Sequence, residues 1–227
     1  WSVNGEPTCR SFTIRGIELS VKGMDIVEVI TDVVVNPANG LSFTPNDCGV
    51  SGVLRDACSD TGTGTNATDV CNQPKHWIDD MGVWHTGNDL PETQACLQAA
   101  GGRLQQQGVK FVIHANGPRW QQFSSEQCHD PAGTHCQTIQ TKIQTTVTRA
   151  LNVAASNRLR SITVPCISGG LFTHSQPKDL QEREQAASRK AVLTACMAWA
   201  QTCAADTSVC QIVVVDHPTV GRLDLLE

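Results

Sequence analysis

Two glycine-bearing stretches hold the residue types best suited to chemistry. The first runs Asn36-Pro37-Ala38-Asn39-Gly40 and resumes at Asn46-Asp47-Cys48-Gly49-Val50-Ser51-Gly52. The second is Pro165-Cys166-Ile167-Ser168-Gly169-Gly170-Leu171-Phe172. Each follows a β-branched run, and the first leads into a helical pattern, Val53-Leu54-Arg55-Asp56-Ala57-Cys58. Glycine between a strand and a helix lets the backbone approach a ligand and aims amide N–H groups at an anion. Neither stretch contains Lys or Arg. A phosphate bound there would be held by backbone dipoles, which suits a compact diphosphate better than a polyanion. Taken singly, each also reads as a tight turn with ordinary glycines, and neither matches a Walker A or Gly-x-Gly-x-x-Gly pattern.

Sulfur and imidazole offer a second chemistry. Cys128-His129 and His135-Cys136 mirror each other, with Cys71, His76, His85 and Cys96 nearby in sequence. Adjacent Cys-His pairs converge poorly on one tetrahedral ion and no Cys-x2-Cys occurs, so no metal is assigned. Cys166 with His114 or His174 would make a nucleophile pair of the cysteine-hydrolase kind. The apolar neighbours of Cys166 favour instead a buried, inert thiol, and His114 after Val112-Ile113 reads as a satisfied core histidine. Eleven cysteines are an odd count, and their density is below the roughly 8–10% of disulfide scaffolds. They read as mostly free thiols in a reducing, intracellular compartment, with cytoplasm, nucleus and organelle all open.

These residues need a scaffold to position them. β-branched runs lie at Ser11–Ile17, Val27–Asn36, Val109–Ala115, Ser161–Cys166 and Gln211–Asp216, several continuously apolar as doubly buried strands are. Between them Ile139, Ile143, Val147, Leu151 and Ala154 recur at helical spacing, as do Val192, Cys196, Trp199 and Cys203. Alternation of strand and helix predicts one α/β domain over residues 1–227 with a central, mostly parallel sheet. Residues 59–90 interrupt the pattern with glycine, asparagine and proline, and read as an irregular insertion pinned by Trp77 and Trp84. No stretch approaches the ~18 apolar residues of a membrane span. The net charge of −5, without a basic patch, argues against nucleic acid. Trp1–Arg15 lacks the basic head and apolar stretch of a secretory leader.

In combination these segments resemble the macrodomain family. Gly23-Met24-Asp25-Ile26 is similar to its Gly-Asp-Ile start with one residue inserted, and Asp32-Val33-Val34-Val35-Asn36-Pro37-Ala38-Asn39 to its Asp-x-Ile-Val-Asn-Ala-Ala-Asn. Gly49-Val50-Ser51-Gly52 falls where its glycine-rich loop lies. Val112-Ile113-His114-Ala115-Asn116-Gly117-Pro118 and Ile162–Phe172 resemble its Val-Ile-His-x-x-Gly-Pro strand end and second loop.

The resemblance implies a three-layer α/β/α fold around a mixed, mostly parallel sheet, and a site for ADP-ribose or an ADP-ribosylated protein, in a monomer needing no cofactor. Asp25 would accept from the adenine amino group and Ile26 would offer its N–H. Gly49, Val50 and Ser51, with Ile167, Ser168, Gly169, Gly170 and Leu171, would cradle the diphosphate. Asn39 and Phe172 would hold the distal ribose, and Asn39, Gly170 and Phe172 would carry hydrolysis of mono-ADP-ribose from acidic side chains, with O-acetyl-ADP-ribose as a variant substrate. The MacroD-type hydrolases, which the chain most resembles, carry an Asp where Ser51 stands, with Asp47 four residues earlier as an alternative. A serine hydroxyl is no general base near neutral pH without a partner. A non-catalytic reader of ADP-ribose is the competing expectation.

Overall fold

The computed structural model describes residues 9–40, 48–59, 75–79, 82–87, 89–128, 130 and 133–216. Asp47, Cys71, His129 and much of the 59–90 stretch lie outside them.

Period-two burial organises the sheet. In β3 (Val33–Ala38), Val33 and Val35 join one apolar cluster and Val34 the other. In β9 (Gln211–Asp216), Ile212 and Val214 face the first cluster, Val213 and Val215 the second. Successive side chains point to opposite faces, so a strand apolar throughout must be covered on both. The remaining strands are β1 (Cys9–Ile14), β2 (Ile17–Gly23), β6 (Ala95–Ala99), β7 (Phe111–Asn116) and β8 (Ser161–Pro165). The order is β1-β2-β9-β8-β3-β7-β6, with both edge strands antiparallel and every internal pairing parallel.

Two long helices cover the first face. α3 (Thr134–Ser156) contributes Ile139, Ile143, Val147, Leu151 and Ala154, and α4 (Lys178–Thr202) contributes Val192, Cys196 and Trp199. On the second face lie α1 (Gly49–Ser59), through Leu54, Ala57 and Cys58, and the short α2 (Gly102–Gln106), through Leu104. Leu54 and Leu104 are essentially inaccessible, and burial of each contributes about 2 kcal/mol. The result is the three-layer α/β/α arrangement expected from the sequence.

Three local differences have physical causes. The Ser11–Ile17 run is not one strand. Arg15 (φ 49°) and Gly16 (φ 84°) are left-handed and turn the chain back into β2, the geometry of a two-residue hairpin. Residues 26–28 form a 3₁₀ turn instead of a strand start, because the Asp25 carboxylate accepts from the Val27 N–H at 3.2 Å and caps it. In the interrupting segment, β4 (Lys75–Ile78) and β5 (Trp84–Gly87) form a two-stranded sheet apart from the main one. Trp77 is buried there with Leu90 and Cys96, whereas Trp84 is 70% exposed, so one tryptophan does the pinning.

Candidate functional site

The carboxyl ends of β2, β3, β8 and β9 open into a cleft of about 610 Å³, where ligands bind in open α/β sheets and of a size that suits a small ligand. One wall is the N-terminal turn of α1: Cys48, Gly49, Val50 and Ser51. The Gly49 and Val50 amides donate to no acceptor among the described residues. The first amides of a helix lack intrahelical partners, and the aligned peptide dipoles make this end electropositive.

The facing wall is the β8–α4 loop, Ser168 to Phe172. Its shape is fixed from beneath. Ser168 is left-handed (φ 62°) and buried, and its hydroxyl donates to the Pro118 carbonyl at 2.6 Å. Thr173 donates to the Gly170 carbonyl through its amide at 3.1 Å and its hydroxyl at 2.8 Å. Gln121 Nε2 donates to the carbonyls of Leu171 at 2.9 Å and Thr173 at 2.6 Å. These bonds engage carbonyls, and the Gly170 and Leu171 amides donate to no acceptor among the described residues. Two glycines permit the close approach: a Cβ on Gly169 would stand 2.3 Å from Cys166 Sγ, and one on Gly117 2.5 Å from Ile167 Cγ2.

No Lys or Arg is among the described lining residues. Asp25 and Ile26 line the β2 end, and the Ile26 N–H donates to no acceptor among the described residues. Phe172 is also in the lining, with the Arg119 guanidinium over its ring at 5.0 Å. Two expected residues stand elsewhere. Ile167 is fully buried behind the loop, and Asn39 is exposed just beyond β3, outside the lining.

The cleft also takes residues the sequence did not single out. Asp216, ion-paired with Arg189, ends β9; its position at the carboxyl end of a buried strand was the available signal. Gln181 and Gln185 reach the cleft from one face of α4, and i,i+4 spacing alone does not separate them from a solvated face.

The Cys–His nucleophile does not assemble. Burial, and secondarily the Asp216 charge, push the Cys166 thiol up to about 12. His114 is wholly buried, its Nδ1 accepting from Asn36 Nδ2 at 3.0 Å and its Nε2–H donating to Gln98 Oε1 at 2.7 Å. His174 has both ring nitrogens engaged, by Glu184 and the Phe123 carbonyl. The ten cysteines among the described residues are all free thiols.

The family model for the Macro domain matches residues 84–182. A macro domain-containing protein of Listeria monocytogenes is 27% identical over 157 residues, 69% of this chain and 70% of that one. An uncharacterized protein of Pyrobaculum aerophilum is 29% identical over 161 residues, 71% of this chain and 69% of that one. Among solved structures, a macrodomain of Oceanobacillus iheyensis with ADP superimposes with a TM-score of 0.66 at 19% identity, covering 98% of this chain and 93% of that one. A Gly-to-Val mutant of it with ADP-ribose gives 0.64 at 20% identity, covering 96% and 94%.

Proposed function

We propose that this chain is a macrodomain, that its cleft binds ADP-ribose and that the protein hydrolyses mono-ADP-ribose from acidic side chains. The observation that carries the reading is a cleft between two sets of amides that donate to no acceptor among the described residues, with no cationic side chain among its described lining residues. Such a site neutralises a diphosphate by dipoles alone. The similar Oceanobacillus iheyensis macrodomain, with ADP and in mutant form with ADP-ribose, supports the same ligand here.

In this reading Asp25 accepts from the adenine amino group and Ile26 donates its amide to the base. Gly49, Val50, Ser51 and Ser168 to Leu171 surround the diphosphate, and Phe172 fixes the distal ribose. Water attacks the anomeric carbon. The new C–O bond forms as the bond to the side-chain carboxylate breaks, and the electron pair leaves on a group with a pKa near ~4 that needs no strong acid. A diphosphate oxygen, held by the loop amides, orients the water and takes its proton. Fixing water and carbon in attack geometry supplies several kcal/mol.

Ser51 on the first turn of α1, where MacroD-type hydrolases carry Asp, favours a second reading: a non-catalytic reader of ADP-ribosylated proteins. Incubation with a protein automodified on acidic residues separates the two. Release of ADP-ribose that is abolished in Gly170→Glu and little changed in Ser51→Ala supports hydrolysis. Binding without release, where a known hydrolase clears the same substrate, leaves the reader.

A further inference from the structure

Behind the Phe172 loop, on the side away from the cleft, three further side chains converge. Glu184, on α4, is only 2% exposed. Its Oε2 accepts from the His174 backbone N–H at 2.8 Å, and its Oε1 lies 2.6 Å from His174 Nδ1. The other ring nitrogen, Nε2, lies 3.1 Å from the Phe123 carbonyl. One ligand atom each from Cys128, His174 and Glu184 lies within 4.8 Å of the others. Buried Cys136, on the first turn of α3, donates its thiol to the Cys128 carbonyl at 3.4 Å.

The ring's surroundings decide its proton. A carbonyl only accepts, so Nε2 carries hydrogen. Nδ1 then faces a carboxylate oxygen at hydrogen-bond distance, and a zinc ion bound by both atoms would part them to roughly 3.5 Å. A histidine that binds metal through one nitrogen characteristically donates its other N–H to a backbone carbonyl or carboxylate, the arrangement His174 makes with Phe123. A simple His–Glu pair explains the imidazole and the carboxylate, while the two buried thiols beside them make only long contacts to carbonyls, Cys128 to Trp120 at 4.0 Å and Cys136 to Cys128 at 3.4 Å.

We propose that Cys128, His174 and Glu184, with Cys136 as the fourth ligand, form a closed structural site for one zinc ion. Zinc takes thiolate, imidazole and carboxylate together, and four protein ligands leave no open position for catalysis. Bonds of about 2.0–2.3 Å place tetrahedral ligand atoms roughly 3.5 Å apart, so an ion would part His174 Nδ1 from Glu184 Oε1, and small side-chain rotations within the 4.8 Å group would do the rest. The ligands come from the segment before α3, from α3 itself and from α4, and His174 is two residues beyond Phe172. An ion here would fasten the cleft's second wall to both helices, without touching the ligand.

The test is metal stoichiometry. Wild-type protein stripped by chelator under a phosphine reductant is titrated with zinc against a competing chromophoric chelator, and zinc is measured by mass spectrometry after dialysis. About one zinc per chain is expected, falling at least tenfold in the double variant Cys128→Ser/Cys136→Ser and in Glu184→Gln, and kept in Cys210→Ser, which alters an exposed thiol. Cobalt-loaded wild type should show a thiolate charge-transfer band that the double variant lacks. Less than a tenth of a zinc per wild-type chain would overturn the proposal and leave a plain His174–Glu184 ion pair. So would zinc fully retained by the double variant. The wild-type titration decides even if a variant does not fold.

Discussion

Gly170→Glu puts a carboxylate where the proposed diphosphate lies. A Cβ at Gly170 would meet no atom within 4 Å, the residue is exposed, and its φ lies outside the left-handed region. The fold should therefore tolerate the change within about 0.5 kcal/mol, a melting shift of roughly 1–2 °C. Binding should not. A carboxylate about 5 Å from one diphosphate charge costs about 3 kcal/mol at an effective dielectric of about 20, roughly 200-fold in Kd. Screening in 0.15 M salt, with a Debye length of about 8 Å, brings this toward roughly 20-fold. Calorimetry with ADP-ribose at low and physiological salt reads both figures, and Gly170→Gln separates charge from bulk. The gap between Glu and Gln should narrow as salt rises. Binding by Gly170→Glu within twofold of wild type, at an unchanged melting temperature, would refute the cradle.

Asp25→Asn keeps an oxygen to cap the Val27 amide but offers the base an N–H₂ in place of an acceptor, so ADP-ribose affinity should fall by about 1–3 kcal/mol while the melting temperature holds; calorimetry and a thermal melt together check it. Gly117→Ala drives a methyl to 2.5 Å from Ile167 Cγ2 and 2.7 Å from Ser168 Oγ. It should cost about 1–3 kcal/mol in denaturant unfolding and weaken ADP-ribose binding, because the loop above must shift. Burial acts against the Asp32 charge, but Lys110 Nζ at 2.7 Å and the Arg160 amide at 2.7 Å outweigh it and hold the carboxyl below its usual 3.8. Its stabilisation is complete above that value and lost as pH falls through the lower folded one. Urea midpoints measured downward from pH 5 should drop less steeply in Asp32→Asn, which should itself cost about 1.5–3 kcal/mol at neutral pH.

Sequence by itself determined the sheet and the walls of the cleft. Continuous apolar runs such as Val33-Val34-Val35 and Ile212-Val213-Val214-Val215 have only one satisfactory environment, a strand covered on both faces. Glycines directly after two of those strands then had to fall at the carboxyl edge, where they face each other. Local signals were enough because both facts depend on neighbours in the chain. Tertiary structure alone decided the rest. It turned Arg15-Gly16 into a hairpin and buried Trp77 while leaving Trp84 exposed. It brought Asp216, Gln181 and Gln185 to the cleft from two elements that share no spacing rule with the loops. Most of all, it gathered Cys128 with His174 and Glu184 across a separation no ligand spacing pattern spans. Helix α4 packs where its apolar stripe meets the sheet, and that packing, not any motif, carries the Glu184 carboxylate to the thiol.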